Sequence, residues 1–318
     1  MRYLIIHNPL SGPNSDEIHA FVHALAAPGD EVVMRFLGSG LETDQAVADV
    51  ESFDRVVLSG GDGTVSSIAA RLAGCPVPVL VFPSGTANLF FSNIGNAPDT
   101  ASLAKACREG RTARADMGEL AWQDASGEER RHTFLIIAGA GYDAAIMEKA
   151  EGMKGDLGEV AYALAALATP NPQVAHFTIE HDGEVDEMDG IACMVANTAK
   201  IQGDMNLFPN CRMDDGLLEI AVIEPAATVQ LLPTLLAGIL DPAGKGLGRP
   251  QFKMLSAKEA RVACDPPLGM QFDGEFLGGG VGAFSARVLP GCLNLIVDDF
   301  SDLGEAENAA AGSPTAAR

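Results

Sequence analysis

Arg55-Val56-Val57-Leu58-Ser59-Gly60-Gly61-Asp62-Gly63-Thr64 is the stretch on which the fold turns. A β-branched apolar run passes directly into three glycines and one acid, the pattern of a buried strand, a tight turn and a helix. The helix is expected over Val65–Leu72, with Thr64 placed to cap it. Glycines without Cβ let a phosphate lie against the backbone, and the N–H groups at a helix start favour its charge. Asp62 is the odd member, because a carboxylate beside a phosphate repels it unless it handles a metal ion or accepts a proton. The pattern therefore points to phosphoryl transfer. No Gly-Lys-Ser/Thr follows, so this is not a Walker loop, and the glycine spacing is not that of a dinucleotide fingerprint. A glycine-rich turn without a ligand is the plain alternative.

Outward from this stretch the chain alternates. Strands are expected at Tyr3–Asn8, Glu31–Leu37, Arg55–Ser59 and Val77–Phe82, and further helices at Ser15–Ala27, Thr43–Val50 and Thr100–Glu109. Such alternation predicts a doubly wound parallel sheet over residues 1–115, whose ligands bind beyond the carboxyl ends of the strands. The loops Asn8–Gly12, Gly60–Thr64 and Pro83–Asn88 all fall there. From about Met117 short strands with polar turns take over: 120–123, 133–138, 176–181, 191–196, 217–223, 260–264 and 293–297. Asp182-Gly183 marks a hairpin. Helical pieces interrupt them near Asp143–Glu151 and Leu157–Leu167. A mostly antiparallel, sandwich-like second domain is expected over 116–298, with a segment near 285–300 able to return to the first. Residues 301–318 read as a disordered tail.

A length of 318 residues suits two domains, and 47% hydrophobic residues suffice for a core built mostly of Ala, Val, Leu and Ile. The formal net charge of −22 excludes nucleic acid as a partner, since phosphate backbones need a basic stripe. It also excludes docking through a polybasic patch, so any membrane contact is transient, local and apolar. No apolar run approaches the ~18 residues of a spanning helix, and the N-terminal run before His7 is too short for a signal peptide. A cytoplasmic protein is expected, peripheral to a membrane at most, with a homodimer left open. Six scattered cysteines without a Cys-x-x-Cys read as buried free thiols. Val229–Leu240 is apolar on nearly all sides and is expected to be a buried helix, with a lipid-facing edge as the alternative. His19 and His23 read as an ordinary surface pair.

Five motifs in order resemble the diacylglycerol kinase catalytic-domain family, which includes sphingosine and ceramide kinases and soluble bacterial lipid kinases. They are Asn8-Pro9-Leu10-Ser11-Gly12, Gly60-Gly61-Asp62-Gly63-Thr64, Pro83-Ser84-Gly85-Thr86-Ala87-Asn88, Asp215-Gly216-Leu217 and Asp273-Gly274-Glu275. The resemblance spans about residues 1–298. It implies phosphorylation of a lipid hydroxyl, diacylglycerol-like or sphingoid-like, by ATP with Mg2+, in a cleft between the two domains. Asn8, Pro9, Ser11, Gly12, Gly60, Gly61, Gly63, Thr64 and Asn88 would hold ATP, with Thr86 on a phosphate or ribose and Ser39 also facing the nucleotide. Asp62 would organise magnesium and the transferred phosphate. Glu275 resembles the general base, with Asp273 the runner-up. The resemblance further implies a structural magnesium on the Asp215 carboxylate and the Arg212 and Leu217 carbonyls, and places Asp116 near the acceptor head group. Leu89 stands where many members carry an acid, and Ile201-Gln202-Gly203-Asp204 holds one glycine where the family has more.

These residue types suit the chemistry. Phosphoryl transfer is mostly positioning and charge neutralisation, magnesium prefers hard oxygen ligands, and a carboxylate can take the proton of a weakly acidic hydroxyl. Two competing readings remain. NAD kinases share the Gly-Gly-Asp-Gly piece but typically carry Asn-Glu after it, where this chain has Asn88-Leu89. A non-catalytic lipid- or nucleotide-binding regulator of the same fold is the other.

Overall fold

The computed structural model describes residues 1–12, 16–38, 41–124, 126–142, 172–202, 205–226, 228–277 and 280–304. The chain forms two compact units, Met1–Asp116 with the chain from Pro290, and Met117–Leu289.

In the first unit the elements run β1 (Arg2–His7), α1 (Glu17–Leu25), β2 (Glu31–Phe36), α2 (Thr43–Val47), β3 (Arg55–Gly60), α3 (Asp62–Leu72), β4 (Val79–Pro83), α4 (Leu89–Ile94) and α5 (Thr100–Glu109). The strands pair in parallel in the order β2-β1-β3-β4, with Ile5 opposite both Met34 and Val57, and Leu58 opposite Val81. Tyr3, Leu4, Ile5 and Ile6 are fully buried. Burial on both faces is what a continuous apolar run in a parallel strand means. Because β1 is followed by β2 on one side and β3 on the other, the strand order reverses between β1 and β3. Their carboxyl ends carry the Asn8 and Gly60 loops, so both loops flank the topological switch point where such sheets bind ligands. The strand that ends at Val297 pairs in parallel with β4 on the other side, with Leu295 opposite Val79.

The second unit holds the body of β5 (Arg111–Gln123), then β6 (Glu129–Phe134), β7 (Ile137–Gly141), β8 (Ala175–His181), β9 (Glu184–Gly190), β10 (Ala192–Ala196), β11 (Lys200–Gln202), β12 (Met205–Asn206) and β13 (Leu218–Ile223). It continues through α6 (Leu232–Leu240), β14 (Phe252–Ala257), β15 (Glu259–Leu268), β16 (Met270–Phe272), β17 (Glu275–Phe276) and the first part of β18 (Val281–Val297). One antiparallel sheet runs β14-β13-β10-β7-β16-β17, and the other includes β18-β15-β8-β9. Phe134, Phe177, Val195, Ile220, Val262 and Phe284 from both sheets share one core. This is the sandwich expected from the short alternating strands. Asp182 and Gly183, with φ of 46° and 86°, make the two-residue hairpin turn between β8 and β9.

The structure departs from expectation in four places. Helix α3 starts at Asp62, with Gly61 as its N-cap, so Thr64 lies inside the first turn rather than capping it. Helix α4 is an element the periodicity does not show. Helix α6 is not a buried helix: Thr234, Ala237 and Gly238 form its packed side, while Leu236, Ile239 and Leu240 are exposed. The small residues permit close approach, since a Cβ on Gly238 would stand 3.0 Å from the Asn206 carbonyl oxygen. Finally, Ser301–Gly304 do not belong to a loose tail. Ser301 and Leu303 are buried, and the Arg111 guanidinium donates to both of their carbonyls. The helices expected at 143–151 and 157–167 and the remainder of the expected tail, from 305, lie outside the described residues. Among the described residues, no helix is long and apolar enough to cross a membrane.

Candidate active site

Three loops of the first unit interlock. The Asn8 N–H donates to the Ser59 carbonyl at 2.9 Å, and its side-chain Nδ2 donates to Thr64 Oγ1 at 2.8 Å. Asn8 Oδ1 accepts from Leu10 N–H, which closes the turn. In the third loop Asn88 adopts the left-handed conformation at φ 48° and exchanges two bonds with Gly85, each 2.9 Å. The loops meet backbone to backbone. A Cβ on Gly85 would stand 2.4 Å from Gly61 Cα, and one on Gly12 would stand 2.8 Å from the Ser84 carbonyl oxygen. No other residue fits that spacing. At the centre lies the start of α3, whose first N–H groups have no intrahelical acceptor and suit an anion. Gly63, Thr86 and Pro9 are exposed, while Gly60 is buried.

Asp62 is half-buried and opens α3. Its Oδ1 accepts the Phe90 N–H at 2.9 Å, so the carboxylate also tethers the first turn of α4. Leu89 precedes that bond. One carboxylate oxygen is thus held by the fold, which fixes where the other points.

In the second unit, Asp273 and Gly274 form the turn between β16 and β17, with φ of 45° and 85°. The Asp273 carboxylate accepts three backbone N–H groups, from Leu135 and Ile136 at 2.8 Å and Ile137 at 3.1 Å. Its own N–H donates to the Ile137 carbonyl. This commitment makes Asp273 an anchor of the hairpin rather than a base. Glu275, two residues on, is exposed. Asp273→Ala strands three amides of a buried segment and is expected to cost roughly 3 kcal/mol or more of stability, read by denaturant unfolding. An unchanged midpoint would show that the anchor is dispensable.

The Asp215 turn lies before β13. Asp215 is exposed and its Oδ1 accepts the Leu217 N–H at 3.0 Å. The Arg212 guanidinium is paired with Asp214. Nearby Glu219 is buried, accepts from Ser256 Oγ, and has its carboxyl pushed above the usual range by burial and then by the Asp215 charge.

Two family models match the chain in tandem. Residues 2–120 match the diacylglycerol kinase catalytic domain, and residues 136–297 match the YegS C-terminal NAD kinase beta sandwich-like domain. The chain belongs to the diacylglycerol kinase catalytic-domain family. A Mycobacterium tuberculosis protein named diacylglycerol kinase is 28% identical over 286 residues, 85% of this chain and 87% of its own length. An uncharacterized protein of Synechocystis is 28% identical over 275 residues, 83% of this chain. The match covers 58% of that longer relative. The crystal structure of a diacylglycerol kinase from Bacillus anthracis has the same fold, with a TM-score of 0.71 at 23% identity over 94% of this chain and 97% of that one.

The structural magnesium that this family implies fits the Asp215 turn by donor chemistry. Among the described residues no three His, Cys, Asp or Glu groups cluster as metal ligands. A cation there would rest on one exposed carboxylate and carbonyl oxygens, a hard set suited to magnesium.

Other expected site residues fare differently. Asp116 is 2% exposed, and its Oδ1 accepts the Gly291 N–H at 2.6 Å. It ties β5 to the returning strand, a structural duty the sequence does not show. Ser39 and the Gly203-Asp204 stretch lie outside the described residues. The tethers from Asp62 to Phe90 and from Asp273 to Leu135–Ile137 escape sequence reading, because each joins positions far apart in the chain.

Proposed function

We propose that this family member transfers the γ-phosphoryl group of ATP to the hydroxyl of a lipid. The observation that carries the reading is the interlocked trio of loops around the α3 N-terminus, at the switch point of the parallel sheet. The N–H groups of that helix start and of the glycine turns hold the phosphates. Asp62, aimed by its tether, organises the transferred group. Bound magnesium neutralises phosphate charge. Glu275 takes the acceptor's proton as the new O–P bond forms and the bond to the ADP leaving oxygen breaks. The acceptor class implies a passing contact with a membrane surface from the cytoplasmic side. The test is labelled ATP, Mg2+ and total membrane lipid, with label sought in the organic phase. A labelled lipid supports the reading and names the acceptor. Label on NAD instead supports the second reading, which the match to an NAD kinase-like sandwich keeps in view.

The metal assignment has its own test. Added Mg2+ is expected to raise the melting temperature of the parent by a few degrees and leave Asp215→Ala unmoved. Equal shifts in both proteins would place the stabilising cation elsewhere.

A further inference from the structure

Behind the nucleotide loops runs a row of hydroxyl groups that ends on a histidine. His7 closes β1 and is 2% exposed, while Ser59 and Ser84 are fully buried. His7 Nδ1 lies 2.9 Å from Ser59 Oγ. Ser59 Oγ lies 3.2 Å from Ser84 Oγ, and Ser84 Oγ lies 3.1 Å from Ser11 Oγ. The Ser11 hydroxyl donates to the Asn8 carbonyl at 2.7 Å, the shortest bond of the row.

Proton counting gives this row a direction. A serine hydroxyl has one proton to donate. That of Ser11 goes to Asn8, so Ser11 Oγ accepts from Ser84. Ser84 then accepts from Ser59, and Ser59 accepts from His7. The last step needs a proton on Nδ1. We propose that His7 is a positioning residue for the nucleotide site, held as the Nδ1–H tautomer and starting a one-way hydrogen-bond relay that fixes Ser11 and the Asn8–Gly12 turn. The role rests on the reading of these loops as the ATP site.

The surroundings of His7 keep the relay in this state. The Phe36 ring stands edge-on at 5.7 Å. Burial, then the His19 charge, lowers the pKa of His7 against an opposing pull from Asp16. A neutral ring with a single N–H can point that proton in one direction only. One consequence concerns Ser11. Its proton is engaged inside the turn, so this loop meets phosphate through backbone N–H groups rather than through the hydroxyl.

Two measurements test the proposal, and the first is independent of any nucleotide. Nitrogen-15 NMR of histidine-labelled protein, with the His7 signal identified by its loss in His7→Asn, should show Nδ1 protonated and Nε2 bare. A proton on Nε2 instead overturns the relay. The second is calorimetric titration with Mg-ATP. His7→Phe keeps a ring but no N–H, and Ser84→Ala cuts the row in the middle. Each is expected to weaken binding by about tenfold, whereas His7→Asn, which returns an N–H near the Nδ1 position, should stay within about threefold of the parent. Parent-like binding by Ser84→Ala overturns the proposal, even where His7→Phe does not fold. So does a His7→Asn protein as weak as His7→Phe at equal melting temperature, since shape rather than the N–H would then matter. A parent protein that binds no Mg-ATP overturns the nucleotide reading and the role of His7 within it, while the NMR signal still reports the direction of the row.

Discussion

Asp62→Asn is expected to lower turnover by roughly a hundredfold or more and to leave the melting temperature close to that of the parent. The substitution separates the tether the structure shows from the catalytic role proposed for this residue. The Phe90 N–H needs an oxygen acceptor, and the Asn side chain still supplies one in the same place. The negative charge, which a tether does not need and a metal-organising group does, is removed. Asp62→Ala is the control. It removes the acceptor as well and should cost about 1 kcal/mol on top of the loss of activity, in the manner of a lost helix cap. Steady-state turnover with labelled ATP and thermal melting of both variants decide the matter. Near-normal turnover in Asp62→Asn would reduce Asp62 to a cap for α4 and return the glycine turn to plain structure.

Where sequence reading succeeded and failed follows from the range of the interactions involved. The parallel unit is legible because β1, β3 and β4 are short runs buried on both faces, as Tyr3–Ile6 are, and each turn after a strand carries its own glycines. The Asp182-Gly183 hairpin is legible because a two-residue turn is chosen by its own residues. Helix α4 is not, since it is six residues long and begins from a left-handed Asn88 with no side-chain cap. Thr64 looks like a cap by type, yet its hydroxyl is taken by Asn8, 56 positions earlier. Asp116 looks like a substrate carboxylate until its partner, Gly291, arrives from 175 residues on. The exposed side of α6 is another such case. Composition gives it no polar face, so its orientation is set by where Ala237 and Gly238 allow contact. Local rules thus find the glycine loops, and long-range bonds determine which of the nearby acids are already engaged by the fold.

That distinction bears most on the two acids of the β16–β17 hairpin, and Glu275→Gln tests it. Asp273 holds three amides and fixes the turn. Glu275 is exposed and free of that duty. An exposed isosteric change at such a position should alter stability by no more than about 0.5 kcal/mol. Loss of a general base, in contrast, should lower kcat by about 10²- to 10⁴-fold, with the KM for ATP unchanged. The contrast with Asp273→Ala is the informative part: one variant should be stable and slow, the other unstable. Glu275→Asp, one methylene shorter, should fall between Glu275→Gln and the parent, because a base works only within hydrogen-bond reach of the acceptor hydroxyl. A loss of less than tenfold in Glu275→Gln would mean that the hydroxyl proton leaves late in a loose transition state. Positioning by the loops would then carry the rate and Glu275 would have no role as a base.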